Sequence, residues 1–300
     1  GCIITIFMIY SIDISYQGTV LLNELLLLYV FWACQNAYVK PVEYCHLRKV
    51  SLKSIGLIIV AAIFLFIMAD YVNACSMIAF QNLLDNSLQA IVNKPVEALV
   101  VVAILPAIIE EFLFRGMIYR GIANKSNKKI AIIISALLFA FLHMNFNQMC
   151  YAFVMGLVFA IVIYLTDNLS VSILLHMLFN AFTVIITCFE KSNAIQAILQ
   201  CNIAGYTLFN PSLTDTQGKI EISLLIIGGL IAILSAVIAG WLILLIAKTE
   251  KTTETTINNE NILKDNDNIF KNNEKWKPDL RFFAGSGVCI LIAILYEILL

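Results

Sequence analysis

Inside the apolar run ILPAIIEEFLFRGMIYRG (residues 104–121) stand two adjacent carboxylates and a cation: Glu110, Glu111 and Arg115. An ionised side chain at mid-bilayer costs about 2.5–3.5 kcal/mol, so such groups usually face a cavity and mark function. Left unpaired, the three would cost ~7–10 kcal/mol together. Glu111 and Arg115 are four apart, share a helix face and can pair. Glu110 points about 100° away and is left without that partner. Pro106, four residues before Glu110, removes a backbone donor and should loosen the helix.

Two of the three histidines also fall in apolar runs, His143 in FAFLHMN and His176 in LLHMLFNAF. Asn180 follows His176 by four and shares its face, as Phe139 does with His143. Counted from the expected cytoplasmic ends, Glu110 lies ~18 Å deep, His143 ~20 Å, Asn180 ~15 Å and His176 ~9 Å. A lone buried histidine is usually a packing residue, but four such groups from three helices at similar depth point to one shared pocket. A carboxylate beside an imidazole in a dry pocket can activate water, and a second His with an Asn can donate to an oxyanion. Zn²⁺ held by Glu and His side chains is the competing arrangement; the spacing lacks an HExxH helix motif, and the residues alone leave the choice open. No serine stands in a GxSxG context, and no aspartate pair occupies two spans. His46, in a basic loop, reads as surface.

These groups need helices to position them. The 300-residue chain is 61% hydrophobic and 13% charged, with a mean hydropathy of +0.89. Globular domains are about half apolar and about a quarter charged, so this is an integral membrane protein. The expected fold class is all-α, a polytopic membrane bundle of about eight transmembrane helices. The spans are expected at 18–34, 54–80, 96–122, 130–144, 148–166, 171–190, 221–247 and 282–300, with a further apolar piece at 2–12. The 130–144 and 148–166 runs read as a hairpin turning near NFNQ (145–148). With the 35–53 loop in the cytoplasm, cytoplasmic segments hold fifteen of the nineteen Lys and Arg residues. The opposite side holds Lys94, Lys191 and Lys219, an asymmetry that satisfies the positive-inside rule. A net charge of −1 gives no reason to expect nucleic acid. Eight scattered cysteines without a CxxC read as free, apolar-lying thiols. The 191–220 loop reads as an outer cap, and the polar 248–281 stretch as a cytoplasmic linker. Gly228, Ala232, Ala236 and Gly240 read as one helix-packing face. The chain starts at Gly1 rather than Met, so a few residues are expected to precede it; no signal peptide is visible.

At the polar residues the sequence resembles a known family. EEFLFR (110–115) matches an EExxxR motif, FAFLH (139–143) an FxxxH motif and HMLFN (176–180) an HxxxN motif, in order and on successive helices. This pattern, over roughly 95–190, resembles the CPBP intramembrane proteases, which include type II CAAX prenyl endopeptidases and the bacteriocin-processing or immunity (Abi) proteins. The resemblance implies a catalytic core at 95–190, between N-terminal helices (1–94) and C-terminal helices (191–300). It implies an intramembrane endopeptidase in which Glu110, with His143, activates water while His176 and Asn180 form the oxyanion hole. Glu111 and Arg115 would support them. The family is often classed as metalloproteases; a zinc, if present, would be held by Glu110, His143 and His176. Implied partners are a peptide or protein substrate and the lipid bilayer, with no oligomeric state specified. An Ile-, Asn- and Lys-rich composition suits an AT-rich genome, and the expected location is a bacterial cytoplasmic membrane. Two alternatives stand beside the protease: a non-catalytic immunity or scaffold protein that uses the same pocket for binding, and a transporter with a carboxylate proton relay, for which no inverted repeat is visible.

Overall fold

The computed structural model of the chain describes residues 44–80, 92–124, 127–143 and 145–262, together with Gly18, Leu21, Leu22, Glu24, Leu25 and Leu27. Side chains beyond Thr252 lie outside the described set. The expected spans at 282–300 and most of 18–34, the apolar piece at 2–12 and the 263–281 stretch also lie outside it.

The described chain is almost entirely helical. Helix α1 is Leu52–Met77. Helix α2 runs from Pro95 to Ala123 in pieces, with α-helical Pro95–Ala98, Leu105–Glu111 and Arg120–Ala123 alternating with π-helical Leu99–Ile104 and Phe112–Tyr119. Next come α3 (Lys128–Leu142), α4 (Phe146–Thr166), α5 (Leu169–Cys188) and the short α6 (Asn193–Leu199). A two-residue antiparallel pair, β1 (Asn202–Ile203) and β2 (Tyr206–Thr207), precedes α7 (Ile222–Ile262).

Short polar side chains set where these helices begin. Ser51, Asn127, Asn145 and Asn168 each accept a hydrogen bond from a backbone N–H in the first turn of α1, α3, α4 and α5. That satisfies donors the helix itself cannot, a contribution of about 1 kcal/mol each. Asn145 makes the turn of the expected α3–α4 hairpin by this means.

Four helices are long and apolar enough to cross a membrane: α1, α4, α5 and Ile222–Thr252 of α7. Their outward faces are apolar, with Ile59, Val60, Ile63, Leu230, Leu234 and Trp241 exposed. That is what lipid requires of a surface. The 96–122 run is helical but broken by its π segments, and α3, at 15 residues, is shorter than the ~20 a span needs. Helix α1 packs along α7 and against α4 and α5, while α3 and α4 close on the second half of α2.

Two expectations need correction. Helix α7 continues through Lys248 to Ile262, so the first part of the polar stretch is helix rather than linker. No Gly or Pro falls between Trp241 and Ile262 to stop it. The small-residue face also runs differently. Gly228, Ala232, Ser235 and Ala239 are buried, whereas Gly240 faces outward. A strict spacing of four drifts ~40° per step against a 3.6-residue turn, so by Gly240 it has left the packed side. At Gly228 the close approach is real, because a Cβ would overlap the rings of Tyr206 and Tyr71. Tyr206, from the outer cap, is buried there.

Candidate active site

Helix α2 carries Glu110, Glu111 and Arg115 inward. Glu111 and Arg115 are fully buried and joined at 2.7 Å between Oε1 and Nη1. The second arm of the guanidinium, Nη2, donates to Gly156 O of α4 at 3.1 Å. Its carbon lies 4.4 Å from the ring centre of Phe139 and 5.2 Å from that of Phe159. A desolvated cation over aromatic faces gains about 2 kcal/mol, which offsets part of its burial. Gly156 makes this reach feasible. A Cβ there would sit 3.1 Å from Ala136 Cα, so any side chain at this position would press α3 away from α4.

Glu111 also accepts from α5: Ser172 Oγ donates to Oε2 at 2.7 Å, and His176 Nδ1 donates to Oε1 at 3.0 Å. With Arg115 this gives the carboxylate three donors, and it fixes the imidazole. The other ring nitrogen, Nε2, then faces Glu110 Oε2 at 3.8 Å. Glu110 is 7% exposed and sits outside the saturated Glu111 cluster. The His176 ring stacks on Phe159 with centroids 4.6 Å apart.

His143 ends α3. Its Nδ1 lies 3.0 Å from Phe139 O, and since a carbonyl only accepts, Nδ1 carries the hydrogen and Nε2 offers a lone pair. Phe139 stands between the two histidines, 5.1 Å from the His143 ring and 5.7 Å from the His176 ring. Asn180 donates through Nδ2 to Val102 O at 3.3 Å. Val102 is the i−4 carbonyl of Pro106, which has no N–H to give it. One amide hydrogen of Asn180 is thereby engaged with the helix Pro106 loosens, and the second remains.

The counted depths put His176 about 9 Å above Glu110, whereas the two are adjacent. The reason lies at the cytoplasmic end, where Arg120 Nη1 donates to Asp167 Oδ1 at 2.7 Å. Glu110 is ten residues before Arg120, and His176 is nine after Asp167, so this tie sets both at one level. Hydropathy had placed the two membrane edges at different heights. Asp167, left-handed at φ 50° and just past α4, also holds His46 Nδ1 at 2.6 Å and Arg48 Nη2 at 3.3 Å. His46, read as ordinary surface, is thus part of a tie. Burial alone would raise the Asp167 carboxyl, but hydrogen bonds from His46 and Arg120 outweigh it and hold it down at about 2. Asn168 extends the network to Glu250 of α7 at 3.1 Å.

Sequence reasoning missed three residues here. Ser172 precedes His176 by four and could have been found as its face neighbour. Glu24, buried in the described part of 18–27, is a lone carboxylate in an apolar span and carried the same signal as Glu110. Gly156 gave no signal beyond a glycine in a helical run. The five described cysteines are free thiols.

A zinc takes at least three protein ligands. The Nδ1 bonds of His143 and His176 leave both Nε2 atoms available, but among the described residues no three His, Cys, Asp or Glu side chains converge to hold a metal. As arranged, the residues do not fit such a site.

Comparison with known proteins bears on this region of the chain. Residues 92–182 match the family model for type II CAAX prenyl endopeptidase Rce1-like proteins. The chain is 34% identical over 116 residues to the membrane-embedded CAAX protease MroQ of Staphylococcus aureus, covering 37% of this chain and 47% of that protein. It is 31% identical over 87 residues to a Bacillus subtilis protein named "putative membrane peptidase YdiL", covering 29% of this chain and 36% of that protein. The chain thus spans less than half the length of the curated relatives it matches. No solved structure matches it. With its four apolar helices and its bacterial membrane relatives, the chain is a multi-pass protein of a bacterial cell membrane. The stretch that matches the Rce1-like family model, residues 92–182, takes in Glu110, Glu111, Arg115, His143, His176 and Asn180.

Proposed function

We propose that the chain is an intramembrane endopeptidase in which Glu110 activates water. The observation that carries this reading is the pairing of a saturated carboxylate with an open one. Glu111 is consumed by Arg115, Ser172 and His176, whereas Glu110 faces His176 Nε2 at 3.8 Å. That separation exceeds a direct hydrogen bond and suits a water held between the two groups.

In the reaction, the water oxygen attacks the peptide carbonyl carbon as Glu110 takes its proton, and the carbonyl becomes an oxyanion. His143, with its Nε2 lone pair free, assists Glu110. His176 and the remaining amide hydrogen of Asn180 donate to the oxyanion. Because His176 Nδ1 gives its hydrogen to Glu111, Nε2 donates to the oxyanion only when the ring carries both protons. Collapse breaks the C–N bond, and the proton on Glu110 passes to the leaving nitrogen. Arg115 and Glu111 hold the helix and the imidazole in place. Positioned acid–base catalysis contributes about 10²–10⁴-fold, and oxyanion donors several kcal/mol more.

The substrate is a peptide or protein presented at the membrane. The family name points to CAAX-type segments, and the bacterial setting to maturation of a signalling peptide or a bacteriocin, with self-immunity as the associated role. The test is to incubate purified wild type and Glu110→Ala with membrane extract and compare new peptide N-termini by mass spectrometry. Termini made by the wild type alone support the reading; identical profiles from the two proteins contradict it.

A further inference from the structure

We infer that Glu24 is a third carboxylate of this site, accepting a hydrogen bond from the water that Glu110 activates. The inference rests on the reading of Glu110 given above and brings in a residue outside the 92–182 family region.

Glu24 is 5% exposed, and its Oε2 is buried with no hydrogen-bond partner. A buried carboxylate oxygen without a donor is costly, so it calls for an explanation. Its surroundings point to the Glu110 site. The described residues among 18–27 are helical, with Leu21 and Leu25 exposed to the lipid side. Glu24 points about 80° away from the middle of that exposed strip and is buried. Leu27, nearly one turn further along, packs against the core formed with Phe114, Phe139, Phe159 and Phe179, the rings that line the site. The Glu24 and Glu110 carboxylates are close enough to interact electrostatically.

The cations and donors nearby do not separate these two groups. Arg115 Nη1, Ser172 Oγ and the Nδ1 hydrogen of His176 are spent on Glu111, and Arg115 Nη2 on Gly156 O. Two neighbouring carboxyl groups in a dry pocket need a donor, and a water has two hydrogens to give. A buried water needs at least two polar partners, and Glu24 with Glu110 supplies them. One carboxylate then receives the proton during attack while the other keeps the remaining O–H directed, so that the oxygen lone pair points at the carbonyl. No bond to Glu24 forms or breaks.

The experiment uses the full chain in detergent, with Glu24→Leu, Glu24→Gln and Glu110→Ala beside the wild type. The probe is a synthetic peptide spanning the strongest cleavage site found in membrane extract. Glu24→Leu is expected to melt at or above the wild-type temperature, since it removes an unpaired buried charge. Its kcat is expected to fall about 10–100-fold, the effect of losing one orienting hydrogen bond, with KM changed less than about twofold. Glu24→Gln, whose amide oxygen still accepts, should lie between. A Glu24→Leu enzyme with wild-type kcat, or with raised KM alone, overturns the inference. Should the Leu variant fail to fold, the near-isosteric Gln variant decides by the same kcat criterion. Loss of activity in Glu110→Ala with both Glu24 variants intact sinks only this inference. A wild type that cleaves nothing, or a Glu110→Ala that cleaves normally, removes the underlying reading and this one with it.

Discussion

Replacing Arg115 by Leu leaves Glu111 charged in a site where both side chains are fully buried. Breaking a buried pair from one side costs about 3–5 kcal/mol. Ser172 and His176 still donate to Glu111, which pulls the figure toward the lower end. Two losses push it back up: the cation over Phe139 at 4.4 Å, worth about 1–2 kcal/mol, and the donor to Gly156 O, about 1 kcal/mol. These terms are not additive, and about 3–5 kcal/mol is the net expectation. For a chain of this size that is a melting shift of about 6–20 °C, read by thermal unfolding in detergent. The cycle with Glu111→Leu isolates the pair. The double variant, having no charge left to bury, should be more stable than either single one, with a coupling of at least about 2 kcal/mol. A single variant within about 1 kcal/mol of wild type, or a double variant that is simply additive, would refute the claim that this pair holds α2 in place.

Two further outcomes follow from the packing and the cytoplasmic tie. Gly156→Val should lower the melting temperature by the equivalent of about 1–3 kcal/mol and reduce cleavage, because the new Cβ meets the Ala136 backbone at 3.1 Å and neither helix can yield freely; unchanged melting would contradict the tight α3–α4 contact. Asp167, held at about 2 in the folded chain, contributes stability that is complete above its unfolded value near 4 and is lost as pH falls through about 2. The group is half exposed, so solvent screening limits the contribution to about 1 kcal/mol. Asp167→Asn, which keeps the left-handed backbone favourable, should flatten the acid limb of the melting curve between about pH 4 and 2; an unchanged limb would rule out the tie.

How much of this was legible in the sequence follows from the physics of each feature. The Glu111–Arg115 pairing is a local consequence of helix geometry and could be read from spacing four. The hairpin at Asn145 was legible because two apolar runs, 130–144 and 148–166, follow each other with only a short polar break, where Asn145 caps the second helix. The mutual level of Glu110 and His176 was not, since it depends on a tertiary contact between Arg120 and Asp167 that hydropathy does not encode. The π-helical turns of α2 left no clear composition signature, although Pro106 marked the place where that helix needed an outside donor, and Asn180 supplies one. The inward face of α7 was misplaced by assuming a repeat of four. Glu24 was overlooked because it stood alone, without a partner at helical spacing to draw attention to it.

The most direct test of the account is the turnover of Glu110→Gln on the peptide identified from membrane extract, with its melting temperature measured alongside. The amide keeps the size of the side chain and removes its capacity to take a proton. A fall in kcat of about 10²–10⁴-fold with unchanged melting is the result the account predicts. Cleavage within about twofold of wild type would show that Glu110 is not the group that activates water.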